Sequence, residues 1–276
     1  MFNFLHSLYT RIKNKIIKLR KKNSWKTIPH LEGNVFFKDG IQLYDPHLIG
    51  AQTLGDQCKH ADTAQEVLQI LNQLESEPSI NFVIEYISKG LSKYGKNWKY
   101  ADINTVLYTI GKNIKIGNYL EIGVRRGRSM CVLASQANEA NFYGFDLWIK
   151  NYTGSENPGP DFVRSELNKF NFKGNLNFID GDSKKTIPNF FKANPNLYFD
   201  VITVDGDHSL YGAKIDLLNV LDKLKIGGIL VFDDISSHEH PYLYNVWERI
   251  IRKRKNFYSW EFSELGLGVA FAIRKY

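Results

Sequence analysis

From Asn118 onward, five short runs rich in β-forming residues alternate with segments of helix length: "NYLEIG", "NFYGFD", "NLNFID", "DVITVD" and "GGILVFDD". Strands separated in this way build βαβ units, which require a parallel sheet covered by helices on both faces. The closing segment "FYSWEFSELGLGVAFAIRKY" reads as two more strands around Gly266, an antiparallel pair at one sheet edge. The fold class is therefore α/β, a mostly parallel sheet of seven strands. In such sheets ligands bind beyond the carboxyl ends of the strands. Here those ends are all acidic: Glu121, Asp146, Asp180 with Asp182, Asp205 with Asp207, and Asp233 with Asp234. Adjacent carboxylates repel unless a cation or hydrogen-bond donors neutralise them.

With 276 residues, 43% of them apolar, the chain can bury a sizeable core. Its two cysteines, Cys58 and Cys131, make neither a disulfide framework nor a thiolate metal site, and fit a reducing, cytoplasmic setting. The net charge of +7 suggests nucleic acid until it is located. Residues 1–28 hold Arg11, Lys13, Lys15, Lys18, Arg20, Lys21, Lys22 and Lys26 and no acid, so the remainder sums to −1. Within that leader Phe2, Leu5, Tyr9, Ile12, Ile16 and Leu19 form one apolar helical stripe. A basic amphipathic helix suits packing on the body or on a second subunit. The alternative is peripheral contact of residues 1–22 with the inner membrane surface. Three regions are expected: the leader at 1–28, a mainly helical extension or cap at 29–117, and a ligand-binding domain at 118–276. In the second, helical spacing covers Asp62 to Glu75, closed by Pro78, then Ile80 to Tyr94 and Asp102 to Ile114, after an irregular stretch at 29–60. This region is expected to cover the site or build a homo-oligomer interface.

The turn "YLEIGVRRGRSM" sets Glu121, Gly123 and Gly127 between a strand and a helix, with Ser129 in the helix's first turn. It is neither a dinucleotide fingerprint nor a phosphate-binding loop, because Glu121 stands where the first glycine would be and no lysine follows. A carboxylate there suits a positively charged ligand group such as the ammonium of a methionine moiety. Asp146 closes the second strand, where a carboxylate accepts from both ribose hydroxyls. Leu147 and Trp148 follow, with Trp148 placed against an adenine, and "WIKNYTGSENPGPDF" reads as a long connection or lid. Gly181, Asp182 and Ser183 stand where an adenine edge would be met. In this order on successive strands, the motifs resemble the Rossmann-like class I S-adenosylmethionine-dependent methyltransferases over about residues 115–275.

Within that class the chain resembles the metal-dependent O-methyltransferases, most of all the macrocin-type and glycan-associated sugar enzymes. The resemblance implies S-adenosyl-L-methionine as cofactor, Asp205, Asp233 and Asp234 as Mg²⁺ ligands, and His208 as catalytic base beside Asp205. Three hard oxygen ligands suit Mg²⁺ and not Zn²⁺. Asp207 either orients His208 or caps its helix. In "DDISSHEHPYLYNVWERI", His238, His240 and Tyr242 are candidates for the acceptor pocket. The function implied is O-methylation of a sugar or related polyhydroxyl small molecule or glycan intermediate. The alternative is a metal-independent small-molecule methyltransferase of the same fold. A nucleic-acid methyltransferase is less favoured, since the basicity is confined to the leader and the fourth motif lacks the Pro-Pro-aromatic run of base-methylating enzymes.

Overall fold

A computed structural model describes residues 28–31, 35–38, 41–44, 48–151 and 156–276. The basic stripe of residues 1–22 and the middle of the segment after Asp146 lie outside the described residues. Strands β1 (Val35–Lys38) and β2 (Ile41–Tyr44) make an antiparallel hairpin, and α1 (Ala51–Cys58) follows. The expected irregular stretch at 29–60 thus gives way to a hairpin and a helix. Its signal was present as Asp39-Gly40 between two short runs of strand-forming residues. Helices α2 (Ala61–Leu71), α3 (Pro78–Tyr94) and α4 (Ile103–Asn113) complete the N-terminal part. Pro78 does not close α2. It opens α3 at its first turn, where a missing N–H costs nothing, and Glu77 caps that turn by accepting from the Ile80 N–H at 2.8 Å.

The large sheet contains β3 (Asn118–Ile122), β4 (Asn141–Asp146), β5 (Leu176–Asp180), β6 (Phe199–Val204), β7 (Leu224–Asp233), β8 (Phe257–Phe262) and β9 (Val269–Arg274). Their order is β5-β4-β3-β6-β7-β9-β8, parallel as far as β7 and antiparallel for β9 and β8. Helices α5 (Arg128–Ala134), α6 (Pro160–Asn168), α7 (Ser183–Ala193), α8 (Leu210–Val220) and α9 (Leu243–Trp247) connect the strands. Strand residues alternate between two cores, as the pleat requires. Tyr119, Phe142, Val201, Val231 and Phe271 join the core under α1–α5, while Leu120, Phe145, Ile202, Leu230 and Ala272 join the one under α7–α9.

Strand order reverses between β3 and β6, so the chain leaves the sheet in opposite directions there and opens a crevice above both. Buried Asp200 at the other end of β6 ties the three central strands. It accepts from the N–H groups of Gly117 (2.9 Å) and Asn118 (2.8 Å) and pairs with Lys225 at 2.6 Å. Among the described residues no helix is long and apolar enough to cross a membrane.

Candidate active site

The crevice is a cavity of about 1010 Å³ that gathers residues from the carboxyl ends of all five parallel strands. Gly123 forms its floor, with φ +90°, its N–H donating to the Phe145 carbonyl at 2.9 Å. A side chain at this position would overlap the backbone carbonyl of Asp205, so glycine is required for β3 and β6 to close on each other as well as for ligand approach.

Asp146 lines the cavity and accepts from the Arg125 N–H (2.7 Å) and the Trp148 N–H (2.5 Å). Each carboxylate oxygen keeps a further lone pair for a ligand. Leu147 and Ile149 also face the cavity. Trp148 does not. Its backbone is left-handed at φ +50°, its indole N–H donates to Asp180 at 2.7 Å, and its ring meets Phe178 edge-on at 5.5 Å. The expected stacking of Trp148 on an adenine is therefore corrected: the flanking apolar residues take that side. Gly181, Asp182 and Ser183 line the wall opposite. Asp182 caps α7 through the Lys184 N–H (3.0 Å), and Ser183 donates to buried Asp216 at 2.6 Å.

Glu121 is also displaced from its expected role. Its carboxylate is wholly buried behind the floor, accepting from Ser129 and, at 2.7 Å, from Tyr119. Burial pushes its pKa up to about 8, against the pull of those two hydroxyls, and the nearby charges of Asp205 and Asp146 add to the rise. A largely protonated, fully enclosed acid is no partner for an ammonium group. Gly127 and Ser129 likewise serve the packing of this turn: Gly127 has φ +74°, and a Cβ there would press on Val163.

At the far end of the cavity Asp205, His208 and Asp234 offer ligand atoms that all lie within 4.8 Å of one another. His208 Nε2 is 3.2 Å from Asp205 Oδ1 and 3.6 Å from Asp234 Oδ2. Burial lowers the His208 pKa, but the hydrogen bond and charge of Asp205 and the charge of Asp234 outweigh it and hold it above the usual value. Burial and the charge of Asp205 push Asp234 up to about 7, partly offset by His208. Asp233 is raised as well, by burial first and then by Asp234 and Asp205. It lines the cavity but stays outside the close group. The reason is backbone geometry. Asp233 still pairs with Val269 in the ladder, whereas Asp234 leaves it in a left-handed conformation, φ +61°, that carries its carboxyl to His208. The trio brought together is thus Asp205, His208 and Asp234, not the three aspartates expected.

Asp207 turns away from His208. It pairs with Lys184 at 2.8 Å and accepts from the Ser209 N–H at 2.9 Å; these donors outweigh its burial and lower its pKa. His240 stands beside His208, with ring centroids 5.4 Å apart, and its Nδ1 lies 3.0 Å from the Tyr242 hydroxyl. His238 and His240 line the cavity, while Tyr242 supports His240 from behind.

Sequence reasoning missed two walls. One is aromatic: Phe82 and Tyr86 of α3 with Tyr100, whose ring stacks on Trp98 at 4.8 Å and 3°. The other is the β8–β9 turn, Leu265–Gly268. The spacing of "NWKYAD" carried a hint of the first, since two aromatics two residues apart before a helix cap can share a face.

Residues 120–235 match the family described as a methyltransferase domain. No curated protein matches the chain. Among solved structures, the calicheamicin methyltransferase CalS11 superposes with a TM-score of 0.49 at 16% identity, covering 87% of this chain and 98% of that one. An O-methyltransferase from Bacillus cereus in complex with SAH gives 0.48 at 15%, covering 78% and 91%. The mycinamycin-pathway methyltransferase MycE, in complex with Mg and SAH, gives 0.41 at 17%, covering 59% and 46%. The matched stretch runs from β3, through the glycine turn, to the residues just past β7, so the resemblance to a methyltransferase domain covers the strands whose ends line the cavity.

Proposed function

We propose that the chain transfers a methyl group to a hydroxyl of a sugar or related polyhydroxyl acceptor, with Mg²⁺ as a second cofactor. The carrying observation is the close group Asp205, His208 and Asp234, set at the sheet end of the cavity between the cofactor wall and the aromatic wall. The residues fit S-adenosylmethionine: Asp146 has lone pairs left for ribose hydroxyls, and Leu147, Asp182 and Ser183 line the wall that would meet an adenine. They also fit a divalent cation, because two crowded carboxylates, one with its pKa raised to about 7, are short of positive charge. A cation held there would acidify and orient an acceptor hydroxyl.

Asp205 and Asp234 raise the His208 pKa and so favour its protonated form. Once their charge is neutralised, the imidazole returns to its neutral form and can accept the acceptor's proton. Bound S-adenosylmethionine would supply the methyl group, its carbon–sulfur bond breaking as the carbon–oxygen bond forms, with a neutral thioether left behind. Tyr86, Tyr100 and Phe82 suit the C–H faces of a sugar ring, while His238 and His240 suit its hydroxyls. On this reading the helices of the N-terminal extension are the acceptor's cover.

Calorimetry with S-adenosylmethionine tests the cofactor wall: micromolar binding in the wild type should be lost in Asp146→Ala. Absence of binding in the wild type would sink the reading. The 4.8 Å group also admits His208 as a third metal ligand, and His208→Ala separates the two roles. As base, its loss should cost roughly 10²–10⁴-fold in turnover while the heat of Mg²⁺ binding remains. As ligand, its loss should remove both.

A further inference from the structure

The body is electrically two-sided. The carboxyl ends of the parallel strands carry the acids of the cavity, whereas the opposite edge of the sheet carries cations. Lys173 precedes β5, Lys115 precedes β3, and Lys192 stands in the last turn of α7, ahead of β6. Arg254 and Lys255 precede β8, which starts at this same edge because β9 runs down to it from the other. All five are exposed, and none forms an ion pair among the described residues. Lys275 joins them from the end of β9, its N–H donating to the Asn256 carbonyl at 2.8 Å and its ammonium 3.8 Å from the centre of the Tyr258 ring. Against these stand two exposed acids, Glu139 before β4 and Asp222 before β7. Lys225 and Lys253, on the same edge, are already neutralised by Asp200 at 2.6 Å and Glu248 at 3.3 Å.

The described chain also begins here. The Pro29 carbonyl accepts from the Ile226 N–H at 3.0 Å, and the Leu31 N–H donates to the Ile226 carbonyl at 2.7 Å, which fixes this segment beside the start of β7. The residues before it carry eight cations and no acid. Gathering so much like charge on one side costs stability unless an anionic partner neutralises it.

We propose that this edge and the leader form one docking surface for an anionic lipid bilayer. Cations close to such a surface each strengthen partitioning by about fivefold. The apolar stripe of residues 1–22 supplies what charge alone lacks, area to bury at the acyl boundary. Nucleic-acid phosphates would engage the cations but offer nothing to that stripe. A second copy meeting this edge by two-fold symmetry would set like charges against each other. With a bilayer on this edge, the cavity stands at the far end of central strands of five and six residues, roughly 20 Å away, and opens to water. The acceptor then arrives from the aqueous side and not from within the headgroup layer. The docking surface is independent of the acceptor's identity.

Sedimentation of the full chain with vesicles tests it, one set of phosphatidylcholine alone and one mixed with phosphatidylserine. The chain should pellet with the mixed vesicles only and be released as salt rises. Lys115→Gln, Arg254→Gln and Lys255→Gln together should weaken binding by about 100-fold. Ile12→Ser with Ile16→Ser keeps every charge and should weaken it by about tenfold or more. Thermal melts check that both variants fold, and the salt series on the wild type needs no substitution. Equal pelleting with both vesicle types, or wild-type affinity in the triple variant, overturns the basic edge as a docking surface. Full binding by the serine variant overturns the lipid partner. Tighter binding to a DNA duplex than to the mixed vesicles at equal salt does so in favour of nucleic acid.

Discussion

Gly123→Ala should unfold or inactivate the protein, with a melting temperature lowered by roughly 10 °C or more where any folded protein is recovered. Two penalties add. At φ +90° a Cβ meets its own backbone, a strain of about 1–3 kcal/mol for a residue held in a sparsely populated conformation. The second is the overlap with the Asp205 carbonyl, which is backbone at the end of a central strand and cannot rotate aside. Relief would require β3 and β6 to separate at the point where the crevice opens, moving Asp205 away from His208. Overpacking of this kind costs about 1–3 kcal/mol even where side chains can give way. Gly95 supplies the control. It too has positive φ, +54°, but nothing lies within 4 Å of its Cβ position. Gly95→Ala should therefore cost only the backbone part, about 1–3 kcal/mol, and leave cofactor binding intact. Equal melting temperatures for the two variants would show that the close approach of Gly123 to Asp205 is not a constraint.

The sheet was legible because β-runs and helix-length spacers carry their periods on the surface of the sequence, and each of the seven strand-like runs lies on an observed strand. The identity of the site was legible for the same reason: strand ends in an α/β sheet face one crevice, so a row of terminal acids had to converge. Orientation was not legible. Neighbouring residues at a strand end differ in whether the ladder still holds them, and one left-handed residue decides it. That is why Asp234 reaches His208 while Asp233 does not, and why Trp148 turns to Asp180 while Leu147 and Ile149 face the cavity. Contacts distant in sequence were equally hidden. Nothing local tells that Phe82 and Tyr86 of α3 would meet Tyr100 at one wall of the site, or that Glu77 would lie in a recess with Arg128.

Glu121→Gln should make the protein more stable at high pH, and leave donor affinity nearly unchanged. The carboxyl is enclosed by Tyr119 and Ser129, and its pKa rises from the usual 4.5 to about 8 on folding. A group whose folded pKa is raised favours folding only in its protonated form. Its cost is absent below about pH 4.5, grows as the pH climbs toward 8, and is complete above that. Glutamine cannot ionise, so the variant escapes that cost, a gain of roughly 4–5 kcal/mol above pH 8 and almost none near pH 4. Its amide keeps both neighbours satisfied, donating to one hydroxyl and accepting from the other. Denaturant melts of wild type and variant at pH 4.5, 6.5 and 8.5 measure the difference directly. Were Glu121 instead the ammonium partner that its place in the motif suggests, a positive ligand group would hold its pKa down. The variant would then lose donor affinity tenfold or more, with no gain in stability at alkaline pH. The two accounts differ in the sign of the pH effect as well as in its size, because one places the acid inside the protein and the other places it against the ligand.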